Sequence, residues 1–361
     1  MTLREEVWKL EKSIAQYVGT KYAIGVNSGT DALFFSLLAL GIGKGDEVIT
    51  VSNTFIATIQ AIVHTGATPI LVDVDWNEQM DLEQVKKVIT KKTKAIIPVH
   101  YTGAMADMNE LIKIAKKHKL DIIEDACQAL GAKQTYKEEK NNRTWYYEKM
   151  MGSFGITGCF SLNTAKMLGG LCDGGMVTTN DRKIYEKICL LRNHWNAHQL
   201  SVDRNDYPQP KTMQWAWKSR LSNVNAAFLN IKFKYIKWIL ERRKEIANKY
   251  LLELWHLPNF MIKYDFYELP FEQPGRIWQE FHFRTEKREE LAKFLTSKGI
   301  ETLTRDIIPN HKMKGLGLSH FKLPVTEQLA KTIIRLPLYP EMTNSEIDYV
   351  IKCVKQFYDS K

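Results

Sequence analysis

The feature that most constrains this chain is a regular alternation of short apolar runs with longer amphipathic segments. The runs Tyr22–Val26, Glu47–Val51, Thr68–Val74, Ala95–Val99 and Asp121–Glu124 are too short for helices and are bounded by polar turns, so they are predicted strands. Between them, Ala32–Leu40, Thr54–Thr65, Asp81–Thr90 and Ala106–His118 are predicted helices. Strands alternating with helices at this pitch build a parallel sheet with right-handed crossovers. Ligands of such α/β sheets sit at the strand C-termini.

The rest of the chain frames this alternation. A helix is predicted over residues 2–18, with Val7, Leu10, Ile14 and Tyr17 at helical spacing. Lys133–Met151 is rich in Lys, Glu, Asn and Tyr and reads as an exposed excursion. Met176–Thr179 is a predicted strand and Asp181–Leu191 a helix. Arg192–Trp217, with Pro208 and Pro210, reads as a long polar loop of the kind that is often functional or meets a partner. One long helix is predicted over Asn223–Leu254, with Val224, Phe228, Ile231, Tyr235 and Trp238 as its buried stripe. Phe281–Arg284 reads as a strand, Glu286–Lys298 as a helix and Ser345–Phe357 as the closing helix. A length of 361 residues suggests about two domains. The division is expected at 238/239, between a large α/β domain and a smaller α+β domain.

Charge and cysteine usage narrow the function classes. The net charge of +10, from 51 basic and 41 acidic residues, suits an anionic substrate. The lysine clusters at Lys86–Lys94 and Lys113–Lys119 instead read as solvated helix faces. No basic stretch interleaves with aromatics as nucleic-acid motifs do. The N-terminus has no signal-peptide core, and no run approaches the ~20 apolar residues of a membrane span. The five cysteines lack ligand-like spacing, so no metal is expected, and they read as reduced thiols of a cytoplasmic protein.

Two segments carry the chemistry. Asp121–Gln128 runs from an apolar stretch to Asp125, and Cys159–Lys166 runs to Lys166 behind Ser161. Taken singly, the lysine is an ordinary surface group and the aspartate an ordinary helix N-cap. Together, an acid and an amine at neighbouring strand ends suit pyridoxal phosphate, which needs a Schiff-base lysine and a carboxylate beside its pyridine nitrogen. The turn Asn27–Asp31, opening a buried helix, presents free N–H groups and the positive helix end to a phosphate. The same residues also serve as plain N-caps. Glycines at 169, 170, 174 and 175 permit tight turns near the lysine.

With these pieces in order, the chain resembles the DegT/DnrJ/EryC1/StrS aminotransferases, which act mostly on nucleotide-linked keto sugars. The carriers are Asn27-Ser28-Gly29-Thr30-Asp31-Ala32-Leu33, Gly66-Ala67-Thr68-Pro69, Pro98-Val99-His100, Glu124-Asp125-Ala126 with Gln128, Phe160-Ser161 with Lys166, Asp173-Gly174-Gly175 and Leu336-Pro337-Leu338-Tyr339-Pro340. The resemblance implies the aspartate aminotransferase fold (pyridoxal-phosphate fold type I) and a homodimer with shared active sites. It makes Lys166 the Schiff-base lysine and Asp125 the partner of the pyridine nitrogen. Gln128 would bond the ring hydroxyl, and Phe55 would stack on the ring. Ser28, Gly29, Thr30, Ser161 and Asn163 complete the implied cofactor site. Lys218 stands where relatives often use an asparagine to reach the neighbouring subunit's phosphate. Arg220 and His311 are implied substrate contacts. In the family's histidine-rich segment only Pro309 and His311 fit. The N-terminus is short, and the 133–151 excursion longer than usual.

The implied reaction moves an amino group from glutamate to a nucleotide-linked keto sugar, for amino-sugar or glycan biosynthesis such as lipopolysaccharide O-antigen. Lys166 would shuttle the proton between the donor Cα and the cofactor C4′. Asp173 lies seven residues after Lys166, a loop length resembling the branch that aminates C-3. Two other readings remain: a sugar dehydratase on the same fold, against which Lys166 argues, and a non-catalytic nucleotide-sugar-binding or regulatory protein.

Overall fold

The computed structural model describes residues 5–140, 143–195, 213–257, 274–304 and 307–359. Helix α1 (Glu5–Val18) buries Val7, Leu10 and Ile14 and leads into β1 (Tyr22–Val26) and α2 (Gly29–Ala39). The alternation then follows as β2 (Glu47–Val51), α3 (Ala57–His64), β3 (Thr68–Val72), α4 (Leu82–Val88), β4 (Thr93–Ile96), α5 (Met108–His118) and β5 (Asp121–Asp125). The aspartates at 81 and 107 cap α4 and α5 through backbone N–H groups. Next come β6 (Lys133–Lys140), β7 (Arg143–Met150), β8 (Thr157–Ser161), β9 (Gly175–Thr179) and α6 (Arg182–Leu191). After residue 213 follow α7 (Asn223–Phe233), α8 (Ile236–Leu254), β10 (Phe281–Arg284), α9 (Arg288–Ser297), α10 (Pro324–Thr332), β11 (Ile333–Leu336) and α11 (Asn344–Asp359). No helix of the described residues is long and apolar enough to cross a membrane.

The central sheet has seven strands in the order β1-β9-β8-β5-β4-β2-β3. From β8 to β3 the pairs are parallel, as alternation with helices requires. Strand β9 departs from the expected parallel arrangement: it runs antiparallel to both β8 and β1. The reason is its connection. The segment from β8 to β9 carries Lys166 and returns on the same edge without a crossover helix, which forces the antiparallel direction. Because two reversals cancel, β1 ends at the same edge as β5 and β8. The turn after β1, Asp125 and the loop after β8 therefore meet.

One further expectation gains detail and two are corrected. The 133–151 excursion is exposed, but it is a regular hairpin of β6 and β7 paired from Lys133↔Met150 to Lys140↔Arg143. The single helix over 223–254 breaks at Lys234–Tyr235 into α7 and α8. Its predicted stripe faces outward: Val224, Ile231, Tyr235 and Trp238 are 50–60% exposed, while Asn225, Ala226, Leu229, Ile236 and Ile239 are buried. Helix α7 packs on α1, so the face turned inward is the one that fits α1, and small or polar side chains serve there. Most of the expected loop at 192–217, with Pro208 and Pro210, lies outside the described residues, as do Arg305 and Asp306.

Two hydrophobic cores fill the chain. One covers the sheet and takes Ile236 and Ile239 from α8; the other gathers Ile246, Tyr250 and Leu254 from the same helix with β10, β11, α9 and α11. Helix α1 is joined to the first core by a buried ion pair, in which Arg192 Nη1 lies 2.6 Å from Glu11 Oε1 and also donates to the Gly25 carbonyl.

Candidate active site

The C-terminal ends of β1, β5 and β8 open on one cavity of about 540 Å³, lined by Ser28, Gly29, Thr30, Phe55, Asp125, Gln128, Ser161, Asn163 and Lys166 among others. Nine residues predicted from widely spaced motifs thus share one space.

At the first wall, Ser28 caps α2 by accepting from the Asp31 N–H at 3.1 Å. The N–H groups of Gly29 and Thr30 open the helix, beyond reach of any carbonyl in it. A Cβ on Gly29 would lie 2.9 Å from Cys127 Sγ and 3.0 Å from Ser161 Cβ, so a larger residue there would have to displace both neighbours. The tight approach leaves an N–H-lined cradle beside the Ser161 hydroxyl that suits a phosphate. Asp31 accepts from Ser219 Oγ at 2.6 Å, and Ser219 Oγ accepts from the Asn27 N–H, so the segment after residue 213 clamps this turn.

At the second wall stands Asp125, buried at the end of β5. Its Oδ2 accepts from Thr58 Oγ1 at 2.7 Å, and its Oδ1 accepts from the Cys127 N–H at 3.2 Å. Thr58 has one hydroxyl hydrogen, so with it given to Asp125 the 2.7 Å contact to Thr54 Oγ1 is donated by Thr54. Gln128 lines the cavity; its Oε1 accepts from the Thr102 N–H at 2.8 Å, and its Nε2 makes no hydrogen bond among the described residues. Thr102 itself holds a left-handed backbone (φ 56), costly for a β-branched residue, and its carbonyl accepts from the Gln279 N–H. Burial, and then the Asp125 carboxylate, push the Cys127 thiol well above its ordinary value, which makes it a neutral wall group.

Lys166 follows β8 in a loop held from several sides. Gln279 brackets it: Oε1 accepts from the Met167 N–H at 3.0 Å and Nε2 donates to the Ala165 carbonyl at 2.8 Å. Asn163 Nδ2 donates to Asp173 Oδ1 at 2.7 Å, and Asn225 of α7 bonds the backbone at Leu171, Cys172 and Asp173. Lys166 Nζ has no hydrogen bond or ion pair among the described residues. A donor cradle for phosphate, an acid, an amide donor and an unpartnered amine around one cavity match the groups that pyridoxal phosphate presents.

From the second core, Arg335 and Glu280 reach the same cavity. Arg335 Nε lies 2.6 Å from Glu280 Oε2, and Arg335 Nη2 donates to Tyr101 Oη at 2.9 Å. Burial alone would raise the Glu280 pKa, but hydrogen bonding to His282 and the Arg335 charge outweigh it and bring it down to about 2. A carboxylate depressed in the fold from 4.5 stabilises fully above about pH 4.5, and that share is lost as pH falls toward 2. The midpoint of thermal unfolding is therefore expected to drop over this range, and Glu280→Gln to flatten the slope. Parallel pH profiles for the two proteins would rule this linkage out.

Three predicted site residues stand apart. His311 is fully buried outside the cavity, with Nδ1 2.8 Å from Ser52 Oγ and Nε2 3.2 Å from Glu327 Oε1. Burial lowers its pKa, and within this chain it packs between Ser52 and Glu327. Lys218 is exposed and pairs through its backbone with Asn193. Arg220 does not line the cavity either. Sequence reasoning missed Thr58, Gln279, Glu280 and Arg335. The one available signal was for Thr58, three residues after Phe55 in a helix whose start faces the strand ends.

The DegT/DnrJ/EryC1/StrS aminotransferase family model matches residues 1–355. A Geobacillus stearothermophilus chain named "Pleiotropic regulatory protein" is 37% identical over 99% of this chain and 90% of its own length. The dTDP-3-amino-3,6-dideoxy-alpha-D-galactopyranose transaminase of Aneurinibacillus thermoaerophilus is 36% identical over 98% of this chain and 90% of its own. The crystal structure of S. venezuelae DesV in complex with a ketimine intermediate superposes with a TM-score of 0.85 at 34% identity, covering 99% of this chain and 90% of that one.

Proposed function

The chain belongs to the DegT/DnrJ/EryC1/StrS aminotransferase family, whose cofactor is pyridoxal 5′-phosphate, and from that premise we propose that it transfers an amino group from glutamate to a nucleotide-linked keto sugar. The observation that carries the proposal is the convergence of Lys166, Asp125 and Gln128 on a cavity rimmed by the α2 N-terminus. Amination at C-3 is supported by the spacing of Asp173 from Lys166 and by the name of the Aneurinibacillus relative. The product would serve amino-sugar or glycan biosynthesis in the cytoplasm.

Bound pyridoxal phosphate supplies a carbonyl carbon that can carry an amino group and a ring that accepts electron density. The chain's residues do the rest. Gly29, Thr30 and Ser28 with Ser161 hold the phosphate by backbone N–H groups and hydroxyls. Asp125, steadied by Thr58, holds the proton on the ring nitrogen. Gln128 Nε2 donates to the ring hydroxyl, and Phe55 covers the ring face. Lys166 Nζ takes the proton from the donor Cα in one half-reaction and returns one when the keto sugar is the acceptor.

A homodimer completes the proposal. The apolar face of Val224, Ile231, Tyr235 and Trp238 is of the kind a subunit boundary covers. Lys218, exposed beyond its own cavity, would then serve the neighbour's phosphate. A domain division near the expected 238/239 belongs to the same reading; the change of core along α8 lies somewhat later, between Ile239 and Ile246.

The test is an absorbance spectrum of the purified protein before and after glutamate is added. A visible band of lysine-bound cofactor that moves to the near-ultraviolet on adding glutamate is expected. A band indifferent to glutamate would overturn the donor. Absence of any band after adding the cofactor would favour the regulatory reading that the Geobacillus relative's name suggests.

A further inference from the structure

A second cavity of about 660 Å³ adjoins the first, walled by Ile300, Leu303, Pro337, Tyr339 and Tyr349. Ala165, Glu280 and Arg335 line both cavities, so a ligand could extend from one into the other. Its size falls in the range of small-molecule sites, and an apolar wall with a few fixed polar groups is what such sites show.

The polar group that stands out is Arg243 of α8, which is buried and lines this cavity. Its Nη1 donates to three carbonyls, those of Leu338 (2.9 Å), Gln279 (3.1 Å) and Trp278 (3.4 Å). These bonds fix the plane of the guanidinium. Among the described residues no acceptor meets Nε or Nη2, and Nε is buried. Those two donors form the edge that grips a carboxylate or phosphate side-on with two parallel bonds. Leaving a buried charged donor unmet is costly, so the arrangement asks for an acceptor from outside. Burial lowers the pKa of Arg243 to about 10, and the group is still charged at neutral pH.

Of the nearby acids, Glu341 is exposed and acts on Arg243 through its charge without a hydrogen bond or ion pair to it among the described residues. Glu280 pairs with Arg335, and Glu346 accepts from the Thr343 N–H and hydroxyl. Glu301 is exposed at the rim.

We propose that the free edge of Arg243 is an oxyanion subsite that anchors the non-reacting end of a substrate while its other end meets Lys166. Resting on the function proposed above, the oxyanion comes from one of two sources. One is the carboxylate of the amino donor, and the other is the phosphate of the nucleotide-linked sugar.

The experiment measures binding of glutarate, UDP and dTDP to the holoenzyme by titration calorimetry. Wild type is compared with Arg243→Lys and Leu303→Glu. The first keeps the charge and loses the fork. The second leaves Arg243 and its three carbonyls in place and sets a carboxylate on the cavity wall. Both variants are expected to weaken one class of probe by about tenfold or more, the loss of one good bidentate contact. A loss confined to UDP and dTDP assigns the phosphate, and one confined to glutarate assigns the carboxylate. Unchanged affinity for all probes in either folded variant, or no binding by wild type, overturns the subsite. Should Arg243→Lys fail to fold, Leu303→Glu decides alone. The spectral response of wild type to glutamate reads the proposed function separately, since it reports on Lys166 and the donor half-reaction.

Discussion

Replacing Lys166 by alanine is expected to abolish turnover, with a fall on the order of 10⁴- to 10⁶-fold, the scale seen when a group that acts covalently is removed. The same side chain would hold the cofactor and move the proton, and neither task has an understudy. Of the other ionisable groups lining the cavity, Asp125 is bonded to Thr58 and Cys127, His100 to Glu124, Asp173 to Asn163 and Tyr101 to Arg335, and Glu280 and Arg335 are paired. Burial keeps the Cys127 thiol neutral. Folding should be spared, because Lys166 Nζ bonds nothing among the described residues and the loop is held through Gln279, Asn163 and Asn225. The variant should thus lose the visible band of lysine-bound cofactor and keep the melting temperature of wild type measured without cofactor. Sustained multiple-turnover transamination by Lys166→Ala would end the assignment.

Replacing the neighbouring acid, Glu124, is expected to damage the fold instead. Successive residues of a strand face opposite sides, so Glu124 points away from the side chain of Asp125. It is fully buried, and its Oε1 accepts from the N–H groups of Phe154 (2.6 Å) and Gly155 (2.7 Å). Its Oε2 accepts from the Gly152 N–H at 2.8 Å and lies 3.2 Å from His100 Nε2. Because His100 Nδ1 accepts from the Ala106 N–H, the ring hydrogen is on Nε2 and goes to Glu124. Glu124→Ala would leave three backbone donors without an acceptor. Each buried orphan costs about 1–3 kcal/mol, so the sum is a large part of the ~5–15 kcal/mol that holds a typical domain. The midpoint in denaturant should fall steeply, and less so for Glu124→Gln, which keeps acceptor capacity. A midpoint for Glu124→Ala equal to that of wild type would show that these bonds contribute little.

The two acids illustrate what is local and what is not. Adjacent in sequence and both in one motif, Glu124 and Asp125 differ only in which face of β5 they occupy. Only packing of the turn at 152–155 on one side and of Thr58 on the other gives them separate work. The residues that hold Lys166 show the same limit. Gln279 lies 114 positions from Ala165, and no spacing rule connects them.

The sequence by itself determined the strand–helix alternation, the helix caps and the order of the motifs. Hydrophobic period and capping act over a few residues, and a parallel sheet then has to place Ser28, Asp125 and Lys166 at strand ends. Tertiary structure alone decided the antiparallel course of β9, the hairpin of β6 and β7, the break between α7 and α8 and the outward face of the latter pair. It also set His311 outside the cavity, brought Glu280 and Arg335 to its walls and placed Gln279 and Arg243 on the wall of the adjoining one. An amphipathic stripe states that a surface will be covered, but not by what. Contacts between residues a hundred or more positions apart are chosen by the fit of whole elements, which no local pattern encodes.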